Sequence, residues 1–202
     1  SPDSQGIVST SDRDGNPEIY VVGVDGLNLS HVTFNDAPDT HPTWSPVEDK
    51  IAFVSQREAS RQTYLMNADG SNQVNLNNGL QDCVLPSWGI RLGGGQAWSS
   101  DGRQVLFTCV SSVILNAARQ VVSNEDIFVI NVDGSQRITI ADSLAKESQP
   151  SWSPDGTKIV FTYSRNPPLP DLIPREIYVA QADGSSSPVR LTNHVEKGGL
   201  YR

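Results

Sequence analysis

Few residues in this chain combine the types and spacings that chemistry requires. The three histidines, His31, His41 and His194, lie far apart in the sequence. A metal centre needs several convergent imidazole or carboxylate ligands, and the sequence assembles none. Residues 12–16, Asp-Arg-Asp-Gly-Asn, place oxygen-bearing side chains at alternate positions, as a calcium loop does. They lack the distal bidentate glutamate of the full signature, and a hairpin turn accounts for the same five residues. Serines are plentiful, yet no strand–turn–helix elbow presents one as a nucleophile. No catalytic residue, metal ligand or cofactor is therefore expected, and the alternatives are calcium at residues 12–16 or a metal in a central channel. The remaining candidates suit binding. Trp88 stands three residues before Arg91, Arg119 and Arg165 lie in other long connections, and His41 and Gln149 sit near the start of predicted strands. An off-register tryptophan beside an arginine suits an interface anchor. The competing explanation is that Trp88 folds back over its own loop.

The elements that must position these residues repeat. An aromatic precedes an Asp-Gly pair by five residues four times: Tyr20 before Asp25-Gly26, Tyr64 before Asp69-Gly70, Phe128 before Asp133-Gly134 and Tyr178 before Asp183-Gly184. Ser1, Ser45, Ser99 and Ser153 each stand six residues before Ile7, Ile51, Val105 and Ile159. A period of about fifty residues marks stacked or radial units. The repeats are expected at about 1–40, 41–93, 94–147 and 148–197, within a single domain spanning residues 1–202. Each carries four short strands, A to D, rich in β-branched and aromatic residues and bounded by Gly, Pro, Asp and Ser. In the fourth copy, strand A ends at Trp152, B runs from Ile159 to Tyr163, C from Glu176 to Ala180 and D from Val189 to Thr192. Four antiparallel strands per repeat make the blade of an all-β propeller. Trp44, Trp98 and Trp152 each end a strand A and are expected between blades.

Composition fits a globular domain, with 37% hydrophobic and 19% charged residues. No apolar run reaches bilayer-spanning length. A net charge of -8 disfavours binding to nucleic acid. Cys83 and Cys109 are the two cysteines. They either pair in an oxidising compartment or remain thiols. The chain opens on Ser1 and has no signal-peptide pattern, as expected of a processed or excised product.

The motif residues resemble the TolB-like β-propeller family, whose repeat reads Pro-x-Trp-Ser-Pro-Asp-Gly, then a Phe-containing strand, then Ile-Tyr, then Asp-Gly. Pro150 to Gly156, Phe161, Ile177-Tyr178 and Asp183-Gly184 reproduce all of it. Pro42 to Pro46 with Phe53 follows it closely, Trp98 to Gly102 lacks the proline, and Ser1-Pro2-Asp3 starts inside the motif. The resemblance implies a periplasmic or extracellular, non-catalytic scaffold that binds a protein or peptide. Its alternative is the propeller domain of an enzyme, either gating a peptidase or holding a pore metal as a sugar lyase does. Membrane insertion and nucleic acid are not expected.

The first repeat lacks a strand A, and residues 198–202 fall where another would lie. Three arrangements stay open: closure by residues 198–202, strand exchange in a homodimer, or a four-repeat part of a longer ring. The long connections, 77–95, 110–125 and 164–175, join D to A or B to C. All three are therefore expected on one face, which becomes the expected partner-binding face.

Overall fold

A computed structural model of the chain describes residues 1–77, 79–80, 82–86, 97–115, 121–143, 145–164 and 175–193. Among them every named element is a β-strand. The first sheet is antiparallel, in the order β1 (Gly6–Ser11), β2 (Glu18–Gly23), β3 (Ser30–His31). The second adds a strand on one side: β4 (Asp39–Trp44), β5 (Lys50–Ser55), β6 (Gln62–Asn67), β7 (Val74–Asn75). The remaining strands form one sheet. They are β8 (Cys83–Val84), β9 (Gln104–Leu115), β10 (Val121–Asn131), β11 (Ile138–Ala141), β12 (Lys146–Trp152), β13 (Lys158–Ser164), β14 (Glu176–Gln181) and β15 (Val189–Arg190). Its order is β15-β14-β13-β12-β10-β9-β8, with β11 also on β10. Within it, β9–β11 and β12–β15 are two antiparallel runs joined by one parallel pair, Glu125 with Lys146. Among the described residues, none of the sheets closes on itself.

The Asp-Gly repeats are the tight turns that return strand C to strand D. In each, the glycine N–H donates to the residue three before it, as in Gly70 to Asn67 at 2.9 Å and Gly134 to Asn131 at 2.9 Å. Gly70 has φ +85°, and a Cβ there would lie 2.2 Å from the Val32 carbonyl oxygen. Both the backbone conformation and the close approach to the neighbouring sheet therefore require glycine.

Apolar side chains of successive sheets meet face to face. Ile19 and Val32 of the first sheet pack with Ile51, Phe53, Tyr64 and Met66 of the second. Ala52, Val54 and Leu65 point the other way, onto Val105, Phe107 and Phe128. Leu106, Ile127 and Val129 then meet Trp152, Ile159 and Phe161. Strand β5 is thus buried on both faces, which is why its sequence is a continuous apolar run rather than an alternation. The tryptophans rivet this stack. Trp98 Nε1 donates to the Thr43 carbonyl and Trp152 Nε1 to the Ala97 carbonyl, each at 3.2 Å. Each acceptor is the residue before the preceding unit's tryptophan, so one contact recurs from unit to unit.

Candidate binding site

The B–C hairpins of the first two sheets share one turn chemistry. Ser11 and Ser55 each accept from an arginine Nε, Arg13 at 3.0 Å and Arg57 at 2.8 Å. The guanidinium groups lie over Tyr20 and Tyr64, 4.6 and 4.5 Å from the ring centroids. The Tyr20 hydroxyl donates to Asp14 and the Tyr64 hydroxyl to Glu58. Burial first, and these carboxylates second, push both phenols up to about 12. Residues 12–16 are therefore a turn, closed by Gly15 N–H on the Asp12 carbonyl at 3.1 Å. Asn16 Nδ2 ties that turn to the neighbouring loop through Asn35 and Ala37 carbonyls, both at 3.1 Å. Among the described residues, no three His, Cys, Asp or Glu side chains converge to hold a metal.

The third B–C connection differs from its sequence expectation. Residues 110–125 were expected as a long loop. Instead β9 and β10 stay paired out to Leu115 opposite Val121, with a register shift at Asn124 and Glu125. Val113 and Ile114 in one arm and Val121 and Val122 in the other favour strand there. The corresponding B strands end at Ser11, Ser55 and Ser164. The arms therefore form a two-stranded ribbon continuing about 20 Å beyond the level of the other hairpins, at ~3.3 Å per residue.

The base of this ribbon is pinned from both sides. Cys83 and Cys109 sit opposite each other on β8 and β9 and are joined by a disulfide. This settles the alternative left open by the sequence. On the other side Lys146 Nζ reaches Glu125 Oε1 at 2.5 Å. Beneath them Asn124, Asp126 and Glu147 are buried, Glu147 with 1% of its surface exposed. The Ser143 hydroxyl donates to one Glu147 carboxyl oxygen, and the other has no partner. Burial, reinforced by the nearby Asp126 charge, raises the Glu147 carboxyl to about 7 despite that hydrogen bond.

Buried polar residues at the start of strand C recur. Glu18, Gln62, Asp126 and Glu176 all lie two residues before the strand C aromatic, and all are buried. Thr33 and Thr192 donate to Glu18 and Glu176 while accepting the N–H of Ile19 and Ile177, both at 2.8 Å. Sequence reasoning passed over this position. Its signal was available, as the fixed recurrence of an acid or amide two residues before each aromatic.

Of the residues singled out from sequence, two can be placed. His41 is half-buried in β4, and burial pushes its imidazole down. Gln149 is exposed in β12. Both have φ +54° and sit inside register shifts of equivalent strand pairs. Trp88, Arg91, Arg119 and Arg165 lie outside the described residues, as do most of 77–95 and 164–175.

Residues 1–91 match the family model described as TolB beta propeller domain. A protein TolB homolog of Chlorobium luteolum is 28% identical over 159 residues, which cover 79% of this chain and 31% of that protein. The solved structure of a TolB-type protein from Agrobacterium tumefaciens superposes with a TM-score of 0.64 at 22% identity, over 94% of this chain and 62% of that one. An oligogalacturonate lyase in complex with manganese gives a TM-score of 0.66 at 13% identity, over 96% of this chain and 51% of the lyase. This chain thus spans about a third of the curated relative's length. The molecule has the all-β, sheet-against-sheet construction of propeller proteins. Its first 91 residues match the TolB propeller family model, and the chain is similar to TolB-type propeller proteins over most of its length.

Proposed function

We propose that this chain is a non-catalytic propeller scaffold in the bacterial periplasm that binds a protein or peptide partner. The binding face is the one carrying the B–C and D–A connections, residues 77–95, 110–125 and 164–175. The observation that carries this reading is the β9–β10 ribbon, which continues past the other hairpins of that face from a base pinned by the Cys83–Cys109 disulfide and the Lys146–Glu125 pair. A paired two-stranded ribbon offers backbone edges to which an extended partner segment could add. The disulfide supports an oxidising compartment. Similarity to the lyase is one of fold alone, and function on a shared fold is decided by the site.

The test replaces residues 110–125 with the short turn of residues 56–61 and measures partner capture from periplasmic extract by crosslinking. Loss of the crosslinked species with unchanged thermal unfolding supports the proposal. Equal capture by the shortened variant overturns it.

A further inference from the structure

Strands C and A bring two buried acids together where one unit meets the next. Between the first two sheets the acids are Glu18 and Asp39. Asn35 ties them, its backbone N–H donating to Glu18 Oε1 at 3.1 Å and its Nδ2 to Asp39 Oδ2 at 2.8 Å. The Thr33 hydroxyl donates to Glu18, and the Arg57 guanidinium lies 2.8 Å from Asp39 Oδ2. A full positive charge and several neutral donors thus support two carboxylates held away from water.

The junction of β10 with β12 repeats the acids and drops much of that support. Glu125 and Lys146 pair in parallel. Asp126 and Glu147, one place further along each strand, therefore lie side by side on the opposite face, and both are buried. Glu147 holds the place of Asp39: it pairs with Tyr163 as Asp39 does with Ser55, ahead of the same register shift. Six residues before the strand A acid, Ala141 stands where the earlier unit has Thr33. Four before it, Ser143 stands where the earlier unit has Asn35. Ser143 donates to one Glu147 oxygen, and the other is buried without a hydrogen-bond partner. Lys146 is engaged by Glu125 at 2.5 Å, and among the described residues no cation pairs with Glu147. Among the same residues, this one parallel pair joins the two antiparallel runs of the large sheet.

We infer that the β10–β12 seam is a proton-operated latch: a proton on Glu147 keeps the two strands together, and its loss leaves two buried carboxylates side by side and parts the strands at Glu125 and Lys146. The groups around Glu147 are Asp126 and Glu125 of β10, Tyr163 opposite it on β13, Lys146 beside it, and Asp142 and Ser143 just before β12. Beyond Asp126 lies Cys109 of β9, whose disulfide does not titrate. Burial first, then the Asp126 charge, moves the loss of the Glu147 proton from 4.5 up to about 7. Opening the seam returns Glu147 to water, so each pH unit between those values favours the open form by about tenfold, and pH above them adds nothing more. The latch concerns the anchor of the ribbon, so it stands whether or not the ribbon binds a partner.

Hydrogen exchange of the full chain, resolved by peptide and corrected for intrinsic rates, tests this between about pH 5 and 8. Protection of residues 124–127 and 145–148 should fall about tenfold per pH unit up to about 7 and then level off. In E147Q the same segments should keep constant protection. The junction supported by Arg57, at residues 17–20 and 38–41, should not share the fall, and that comparison is available within the wild-type chain alone. Constant protection at the wild-type seam overturns the inference, and is the profile expected if a guanidinium rested on Glu147 as Arg57 rests on Asp39. An equal fall in E147Q, or at the other junction, overturns it too, since the loosening would then be independent of Glu147 or general to the chain.

Discussion

Glu147 shows how much a single position depends on its surroundings. Its carboxyl is buried beside Asp126, with one oxygen held by Ser143, and it titrates near 7. Between the ordinary value of 4.5 and about 7, the folded chain keeps a proton that the unfolded chain releases. Stability contributed by this group is therefore full below 4.5 and falls as pH rises through that window. The difference in unfolding free energy between wild type and E147Q, from denaturant titrations, should shift by on the order of 3 kcal/mol across it, against wild type at higher pH. A pH-independent difference would contradict the burial argument. Nothing local in Lys-Glu-Ser-Gln-Pro announces this, because the burial comes from a parallel neighbour, β10, that only the fold supplies. The turn residues are the opposite case. Asp-Gly at 69–70 and 133–134 could be read directly, since the turn is closed by its own backbone.

At the scale of elements, strands B and C were readable because each carries its own pattern of β-branched and aromatic residues. Strand D was harder to delimit: β3, β7 and β15 are two residues each, shorter than their apolar stretches suggest. The length of the 110–125 segment suggests a loop, but Val113, Ile114, Val121 and Val122 favour the paired strands that form there. The covalent link at the ribbon's base carries a direct prediction. Cys83 and Cys109 are 26 residues apart. Removing the bond in a C83A/C109A double variant should lower unfolding free energy by about 3 kcal/mol. Reductant should bring wild type to the same midpoint. A variant as stable as wild type in the absence of reductant would mean the bond does not form in the folded chain.

The described residues form a row of packed units with two ends. Ile7 is uncovered at one end, and Val160, Ile177 and Val189 are 37%, 41% and 60% exposed at the other. Between the ends, apolar side chains of each unit meet those of the next. The period of the sequence foretold repeated units packed on one another, and left open how the row of units ends. What the sequence withheld was how adjacent units join, since the Glu125–Lys146 pairing that merges two runs into one sheet involves residues outside the repeat motif. The central claim is that each strand A tryptophan locks its unit to the one before, and that Trp44 alone among these three lacks the acceptor. Exchange of the assigned indole protons of the free chain tests it most directly. The account predicts Trp98 and Trp152 slow and Trp44 faster by about tenfold; three indoles exchanging at the same rate would contradict it.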